Sequence, residues 1–147
     1  MNHSRRELCF ILPAMLVAGS KAGAAEALPS KVYPFNSLPV QKSGGNTFRP
    51  IFEGVTHEGY YLELHESELA PNAMPHPPHR HPHEEVFLVR EGTLEITING
   101  VSSRFGPGSV AYVASNAWHG VRNVGDADAL YFVLEIGTPG HEVTEKS

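Results

Sequence analysis

The sequence has almost no cysteine, no apolar stretch long enough to cross a membrane, and no excess of positive charge. Cys9 is the single cysteine, which excludes disulfides within the chain and sites built from several thiolates. The apolar stretch 8–19 is well short of the roughly 20 residues that a membrane-spanning helix needs. Eleven Lys and Arg residues against sixteen Asp and Glu give a net charge of −5, without the basic surface that nucleic acid requires. We therefore expect no nucleic-acid partner and no permanent membrane anchor.

Residues 1–27 have the features of an export signal. Arg5 and Arg6 provide a positive start, the apolar stretch follows, and small residues around Ala24 suit cleavage. The paired arginines resemble a twin-arginine signal, but the continuation 7–9 departs from one, so two export routes stay open. A disordered N-terminal tail is the alternative. Removal of the signal would give an exported protein, periplasmic or secreted, whose metal sites would depend on His and carboxylate ligands.

The length of 147 residues allows one domain, since domains typically take roughly 100–200 residues. With 41% hydrophobic and 18% charged residues, the composition is that of a folded globular protein. Pro, Gly, Ser and Asn are frequent over 30–46, where neither a helical nor a strand period is visible. We therefore expect an N-terminal arm and first strand over 28–59, the main domain over 60–140, and a C-terminal tail over 141–147.

Apolar and polar residues alternate along most of the main domain, as they do in half-buried β-strands. At its start the alternation places Tyr60, Leu62 and Leu64 on one apolar face. The segment 93–98 repeats the pattern, with Glu and Thr side chains on the opposite face. Both segments are therefore predicted to be strands whose apolar faces point to the core.

Turn signals separate the predicted strands. Asn99-Gly100 predicts a tight hairpin, because both residues tolerate positive φ. Further apolar strands are predicted over 109–114, 120–123 and 129–135. No segment after the export signal has a convincing helical period. The predicted fold class is all-β, an antiparallel sandwich or barrel such as a jelly roll.

A dense group of histidines and carboxylates precedes the apolar strand 86–89. On an extended chain His79, His81, His83 and Glu85 lie on one side, because side chains alternate. The intervening proline bends the chain, so that His83 need not stay in line while His79, His81 and Glu85 reach one metal ion. Imidazole and carboxylate ligands suit Fe(II), Mn(II), Zn(II), Ni(II) or Cu(II).

The remaining histidines have simpler interpretations. His83 lies in a proline-bounded loop and is expected to be solvent-exposed, with a role as an alternative ligand as the other reading. His57, His65 and His76 are expected at the surface, as is Glu84.

Four other residues are expected close to the site or to its turns. Phe87 and Val89 share the side of Glu85, which suits an apolar pocket wall and suits core packing equally well. Trp118 is expected at the mouth of the site or shielding its edge. Asn123 precedes a Gly-Asp turn, where Asn more often supports the turn than orients a ligand.

The group belongs to a longer pattern that resembles the two motifs of the cupin superfamily. The first motif is resembled by His79-x-His81-x3-Glu85-x6-Gly92. The second is resembled by Gly108-x5-Ala114-x-Asn116-x2-His119-x3-Asn123. Ala73, Ala114 and Asn116 stand where the family has turn-forming Gly or Pro, which affects loop shape rather than ligation. The resemblance covers roughly 62–136.

The resemblance implies a single cupin jelly-roll β-barrel, commonly a homodimer, with one divalent ion inside near one mouth. The ion would be Fe, Mn, Ni, Cu or Zn. Its ligands would be His79, His81, Glu85 and His119.

Such a ligand set leaves one or two positions open on a metal that accepts five or six ligands, as catalysis requires. The resemblance favours an oxidoreductase of dioxygenase type that acts on a small organic substrate. Glu85 is the catalytic candidate, because it could leave the metal and act as a base. Two alternatives stay open: a non-catalytic module that binds a small molecule or sugar through its metal, and a metal-dependent isomerase or lyase.

Overall fold

The computed structural model describes residues 26–138, which form nine β-strands and one turn of 3-10 helix. The predicted export signal lies outside the described residues up to position 25, as does the predicted tail 141–147. No helix in the described part is long and apolar enough to span a membrane. The elements in chain order are the 3-10 turn Phe35–Ser37, β1 Gln41–Ser43, β2 Asn46–Val55, β3 Tyr61–Leu69, β4 Glu84–Glu91, β5 Leu94–Ile98, β6 Val101–Phe105, β7 Val110–Val113, β8 His119–Asn123 and β9 Ala129–Gly137.

The strands form two antiparallel sheets. One has the order β1-β2-β3-β9-β4-β7 and the other has the order β6-β5-β8. Both sheets contribute to one apolar core, which is made of Leu69, Phe87, Val89, Leu94, Ile96, Val113, Val121, Ala129, Tyr131 and Val133. The predicted all-β jelly-roll fold is confirmed.

The hairpin between β5 and β6 is also confirmed. Ile98 pairs with Val101, and the two turn residues Asn99 and Gly100 have φ of 48° and 85°. Positive φ at both central positions is the requirement of the tight turn that suits twisted strands. The turn fixes the register of β6 on one edge of β5, and β8 pairs with the other edge of β5.

The predicted core face of β3 is wrong. The buried side chains of this strand include Tyr61, Glu63 and Leu69, while Leu62 and Leu64 are only partly buried. The physical reason is that the N-terminal arm covers the outer face of the sheet, so apolar residues are needed there too. The core-facing side of β3 is thereby free to carry polar groups into the barrel.

The arm is held to this outer face by backbone and side-chain contacts. The Leu28 amide donates to the Val55 carbonyl at 2.8 Å. The Leu28 side chain lies 2.9 Å from the position that a Cβ on Gly54 would take, and Gly54 pairs with Leu62. Leu62 therefore packs beneath the arm rather than in the barrel.

Gly92, which joins β4 to β5, is expected to be a strong determinant of stability. Its φ is 81°, and a Cβ there would lie 2.6 Å from the Ala129 Cα and 2.9 Å from the Asp128 carbonyl oxygen. Gly92→Ala is therefore expected to lower the free energy of unfolding by about 3 kcal/mol, because backbone atoms cannot move aside cheaply. Urea denaturation measures the change.

Gly100→Ala is the matched control for this substitution. Gly100 also has positive φ, at 85°, but a Cβ there meets nothing within 4 Å. Gly100→Ala is expected to lower the free energy of unfolding by about 1 kcal/mol, which is the cost of placing an alanine at positive φ without any steric contact. Equal losses for the two variants would show that the contact with Ala129 is not important.

Candidate metal centre

Backbone hydrogen bonds tie the histidine loop to the start of β8. His79 and His119 form an isolated bridge, in which the His79 amide donates to the His119 carbonyl at 2.9 Å and the reverse bond is 2.8 Å. The Asn116 amide donates to the His81 carbonyl at 2.8 Å. Asn116 itself has φ of 60°, a conformation that Asn tolerates better than most residues. Asn116 thus adopts the conformation that a Gly often supplies, and the loop keeps its shape.

The structure brings the four predicted ligands together at this bridge. The ring centroids of His79, His81 and His119 are 4.8–5.1 Å apart. One ring nitrogen of each can be chosen so that all three lie within 4.8 Å of one another. Glu85, in β4, places one carboxylate oxygen 2.8 Å from His119 Nε2 and the other 3.4 Å from His81 Nε2.

The polar atoms of this cluster fit a bound cation. His119 Nδ1 lies 2.9 Å from the Ala117 carbonyl oxygen and donates to it, which leaves Nε2 to face the cluster. His119 Nε2 and Glu85 Oε2 are buried and, although close, make no hydrogen bond of acceptable geometry. Two ligand atoms held at right angles by an ion at about 2.1 Å would be about 3 Å apart. The observed 2.8 Å contact is close to that spacing.

The electrostatics of the cluster also favour a metal. Burial alone would raise the pKa of Glu85, but its contacts with His119 and His81 outweigh burial and lower this pKa to about 2. Burial, together with neighbouring histidines, lowers the pKa of His79 to about 4. At neutral pH the site therefore offers an ionised carboxylate and at least one neutral imidazole, which are the forms that bind metal.

Metal binding is expected to weaken as the pH falls. The contact with Glu85 raises the pKa of His81, and for His119 the contacts with Glu85 and Ala117 outweigh burial and raise the pKa as well. A proton and a metal ion therefore compete for these rings, and binding should release protons. Competition with a chromophoric chelator for Zn(II) should show affinity at least roughly tenfold lower at pH 6 than at pH 8. Equal affinity at both pH values would contradict this ligand set.

Two predictions about individual histidines are wrong. His83 is buried, with 6% of its surface exposed, and its ring packs against Tyr61 with centroids 5.1 Å apart. His65 lies in β3 on the core-facing side and is bonded to Glu63. Packing against Tyr61 keeps His83 away from solvent, and the alternation of β3 places His65 on the same side as Glu63.

Glu84, expected at the surface, is partly buried, and the other predicted positions agree with the structure. His57 and His76 are exposed, and Trp118 is 52% exposed beside the site. Asn123 is fully buried and supports the turn, since its amide donates to the Leu69 and Ala127 carbonyls. It does not contact His119 in any hydrogen bond of the described residues.

A small cavity of about 70 Å³ opens onto the cluster. Its walls include Glu85 and His119 on one side and His65 on β3, so polar groups border it on more than one strand. The remaining lining residues are Phe48, Ser67, Pro75, His76, Phe87, Val121, Tyr131 and Val133. Of the two residues expected either at a pocket wall or in the core, Phe87 borders the cavity and belongs to the core as well, whereas Val89 belongs to the core and is not among the lining residues.

The sequence interpretation missed a second polar group inside the barrel. It consists of Glu63, His65 and Glu135, whose ligand atoms lie within 4.8 Å of one another. Glu63 and Glu135 are directly opposite in the pairing of β3 with β9. The available signal was the alternation in β3, where Glu63 and His65 share a side that the arm leaves to the interior.

Comparison with known proteins supports the same fold. Residues 65–135 match the family described as a cupin domain. A 5-aminosalicylate 1,2-dioxygenase from Comamonas sp is 43% identical over 123 residues, which are 84% of this chain and 29% of that relative. The chain therefore spans less than a third of the length of this relative.

Solved structures share the fold at lower identity. KdgF from Halomonas sp. has a TM-score of 0.65 and 18% identity, over 76% of this chain and 97% of that one. A predicted oxalate decarboxylase from Thermotoga maritima has a TM-score of 0.61 and 16% identity, over 73% and 99%. At these identities the similarity shows the fold alone. The match over residues 65–135 supports membership of the cupin superfamily, and the solved structures agree with it in fold.

Proposed function

We propose that the protein is a metal-dependent dioxygenase that acts on a small aromatic acid carrying a ring hydroxyl. The observation that carries the proposal is the cluster of His79, His81, His119 and Glu85 at a cavity with an apolar wall. The sequence relative named as a 5-aminosalicylate 1,2-dioxygenase supports the substrate class. One ion of Fe, Mn, Ni or Cu would serve this chemistry, whereas Zn would favour a different type of reaction.

The ligands would hold the ion, and the substrate would bind beside it, where the cavity of about 70 Å³ has to widen to admit an aromatic ring. His79, His81, Glu85 and His119 would hold a redox-active ion, which would supply open positions for a chelating substrate and O2 and would exchange electrons with them. Both oxygen atoms would enter the organic product, so no further reductant is required. Phe87 and Val133 supply apolar surface for the aromatic ring and exclude water. Pro75 and His76 border the same cavity from the loop, where the rest of the substrate would extend.

We also propose that the protein is exported to the periplasm or secreted, and that it works as a homodimer. The proposed location is supported by Arg5 and Arg6, by the apolar stretch 8–19 and by the small residues after it. The dimer is implied by the family resemblance. Cell fractionation tests the location, and sedimentation of the purified protein tests the dimer.

Oxygen uptake tests the proposed reaction. The metal-loaded protein is expected to consume one O2 for each molecule of 5-aminosalicylate, with loss of the aromatic absorbance. His81→Ala should abolish the uptake, whereas His57→Ala, at an exposed position, should not. A metal-loaded protein that binds phenolic acids, enediols and flavonols but forms no product would instead be a binding module.

A further inference from the structure

A hydrogen-bonded pair of side chains, Glu63 and His65, lies on the core-facing side of β3. Both oxygens of Glu63 are near His65 Nδ1, at 2.9 and 3.0 Å. Each side chain has 12% of its surface exposed. The two residues are separated by one position, so the period of the strand places them on the same side.

His65 opens into the same cavity as the candidate metal ligands. The cavity is bordered by Glu85 and His119 on one side and by His65 on another. The direct strand neighbours of His65 are apolar, with Pro50 on β2 and Val133 on β9. An imidazole in this position can therefore contact a small group of the substrate, such as its hydroxyl, that reaches into the cavity beside the metal centre.

The Glu63 contact decides which ring nitrogen of His65 is available. A carboxylate accepts from Nδ1–H, so the neutral imidazole carries its lone pair on Nε2. Nε2 is then the ring nitrogen that can accept a proton. The carboxylate also stabilises the imidazolium that would form, as a buried carboxylate does for other catalytic histidines.

Other charged groups surround the pair and must be considered with it. Burial and the neighbouring carboxylates of Glu63 and Glu85 raise the pKa of Glu135, whose charge acts on His65 as well. The groups that face His65 from the surrounding elements are Glu63 on β3, Glu135 on β9, Glu85 on β4, His119 on β8 and His76 in the loop.

We propose that His65 is a catalytic residue that accepts the hydroxyl proton of the substrate, and that Glu63 is the positioning residue that holds its ring. This inference rests on the proposed function, because it takes its substrate from there. In the step the substrate O–H bond breaks and an Nε2–H bond forms, with no change of oxidation state. The proton returns to the product when the product leaves.

The same side chains could serve a different purpose, since Glu63, His65 and Glu135 also have ligand spacing. A second metal ion there would occupy the lone pair of His65 and exclude its action as a base. The number of ions per chain therefore separates the two interpretations, and a second ion lost in His65→Gln would overturn the proposal.

Proton counting during substrate binding tests the proposal without turnover. Calorimetry is performed without O2 on the metal-loaded protein, with 5-aminosalicylate as the probe, in buffers of different ionisation enthalpy. The wild type should release no net proton, because His65 keeps the one that leaves the hydroxyl. His65→Gln should release about one proton for each molecule bound, and His57→Gln should behave as the wild type.

Kinetics provide the second readout and a second variant. His65→Gln should lower kcat by roughly 10²–10⁴-fold with little change in KM, as expected for loss of a general base. Glu63→Gln should lower kcat by a smaller factor and leave the metal content unchanged. A general structural defect would lower the metal content as well. Thermal unfolding of each variant shows that the fold is kept.

The outcomes separate this inference from the proposed function. Equal proton counts in wild type and His65→Gln would overturn the role of His65, even if O2 is consumed. A difference in proton counts without O2 uptake would uphold the role of His65 and reject the dioxygenase. Absence of probe binding to the wild type would reject the substrate class and the inference with it.

Discussion

His119→Ala is expected to remove the bound metal and abolish turnover. His119 has 2% of its side chain exposed, and its Nε2 lies at the centre of the cluster, 2.8 Å from Glu85. Loss of a partner outside the ligand shell already costs 10–100-fold in metal affinity, so loss of a direct ligand should cost at least roughly a hundredfold. A competition titration with a chelator measures this change.

His76→Ala is the matched control for that substitution. The His76 ring is only 4.3 Å from that of His79, yet its side chain is exposed and outside the four-ligand cluster. Its replacement should change metal affinity by no more than a few-fold. Metal affinity in His119→Ala as high as in the wild type would show that His119 is not a ligand.

Glu85→Gln is the second substitution with a large expected effect. The amide keeps the shape of the side chain but removes the charge that partners His81 and His119. Metal affinity should fall by roughly a hundredfold, because the buried site loses its anionic ligand. If Glu85 acted instead as a base away from the metal, the variant would keep its ion and lose only kcat.

The same substitution should change the acid stability of the metal-free protein. The folded-state pKa of Glu85 is lowered from 4.5 to about 2, so its stabilisation is complete above pH 4.5 and is lost as the pH falls towards 2. The difference of about 2.5 pKa units corresponds to roughly 3 kcal/mol. Urea denaturation at pH 6 and pH 3 measures the free energy of unfolding of both proteins. The part of the decrease that is due to Glu85 should be absent in Glu85→Gln. A wild-type protein whose stability does not change over that range would contradict the lowered pKa.

The parts of the fold that depend on local signals could be predicted from the sequence. Alternation gave the strands from β4 onward, and Asn99-Gly100 gave the hairpin. These features are local because a strand needs only period-two alternation and a tight turn needs only residues that tolerate positive φ. The spacing of His79, His81 and Glu85 is also a local signal, because the three residues lie close together in the sequence.

The orientation of β3 could not be predicted in this way. Leu62 and Leu64 are as apolar as core residues but are only partly buried, and the arm lies next to Leu62 on the outer face of the sheet. Alternation shows that two faces differ and does not show which face another segment will cover. The choice of face depends on the contact of Leu28 with Gly54, and Leu28 is distant in sequence from β3.

That orientation explains why the polar interior was missed. With Leu62 on the side of the arm, the other side of β3 brings Glu63 and His65 into the barrel. The burial of His83 likewise depends on its packing against Tyr61, which lies in another strand. In each case the deciding contact joins segments far apart in the sequence.

Metal analysis of the purified protein, prepared without added metal or chelator, tests the central claim most directly. We predict about one redox-active ion per chain in the wild type and none in His81→Ala purified in parallel. Zinc at the same stoichiometry would keep the site and contradict the dioxygenase. No bound metal in the wild type, even after reconstitution, would contradict the metal centre itself.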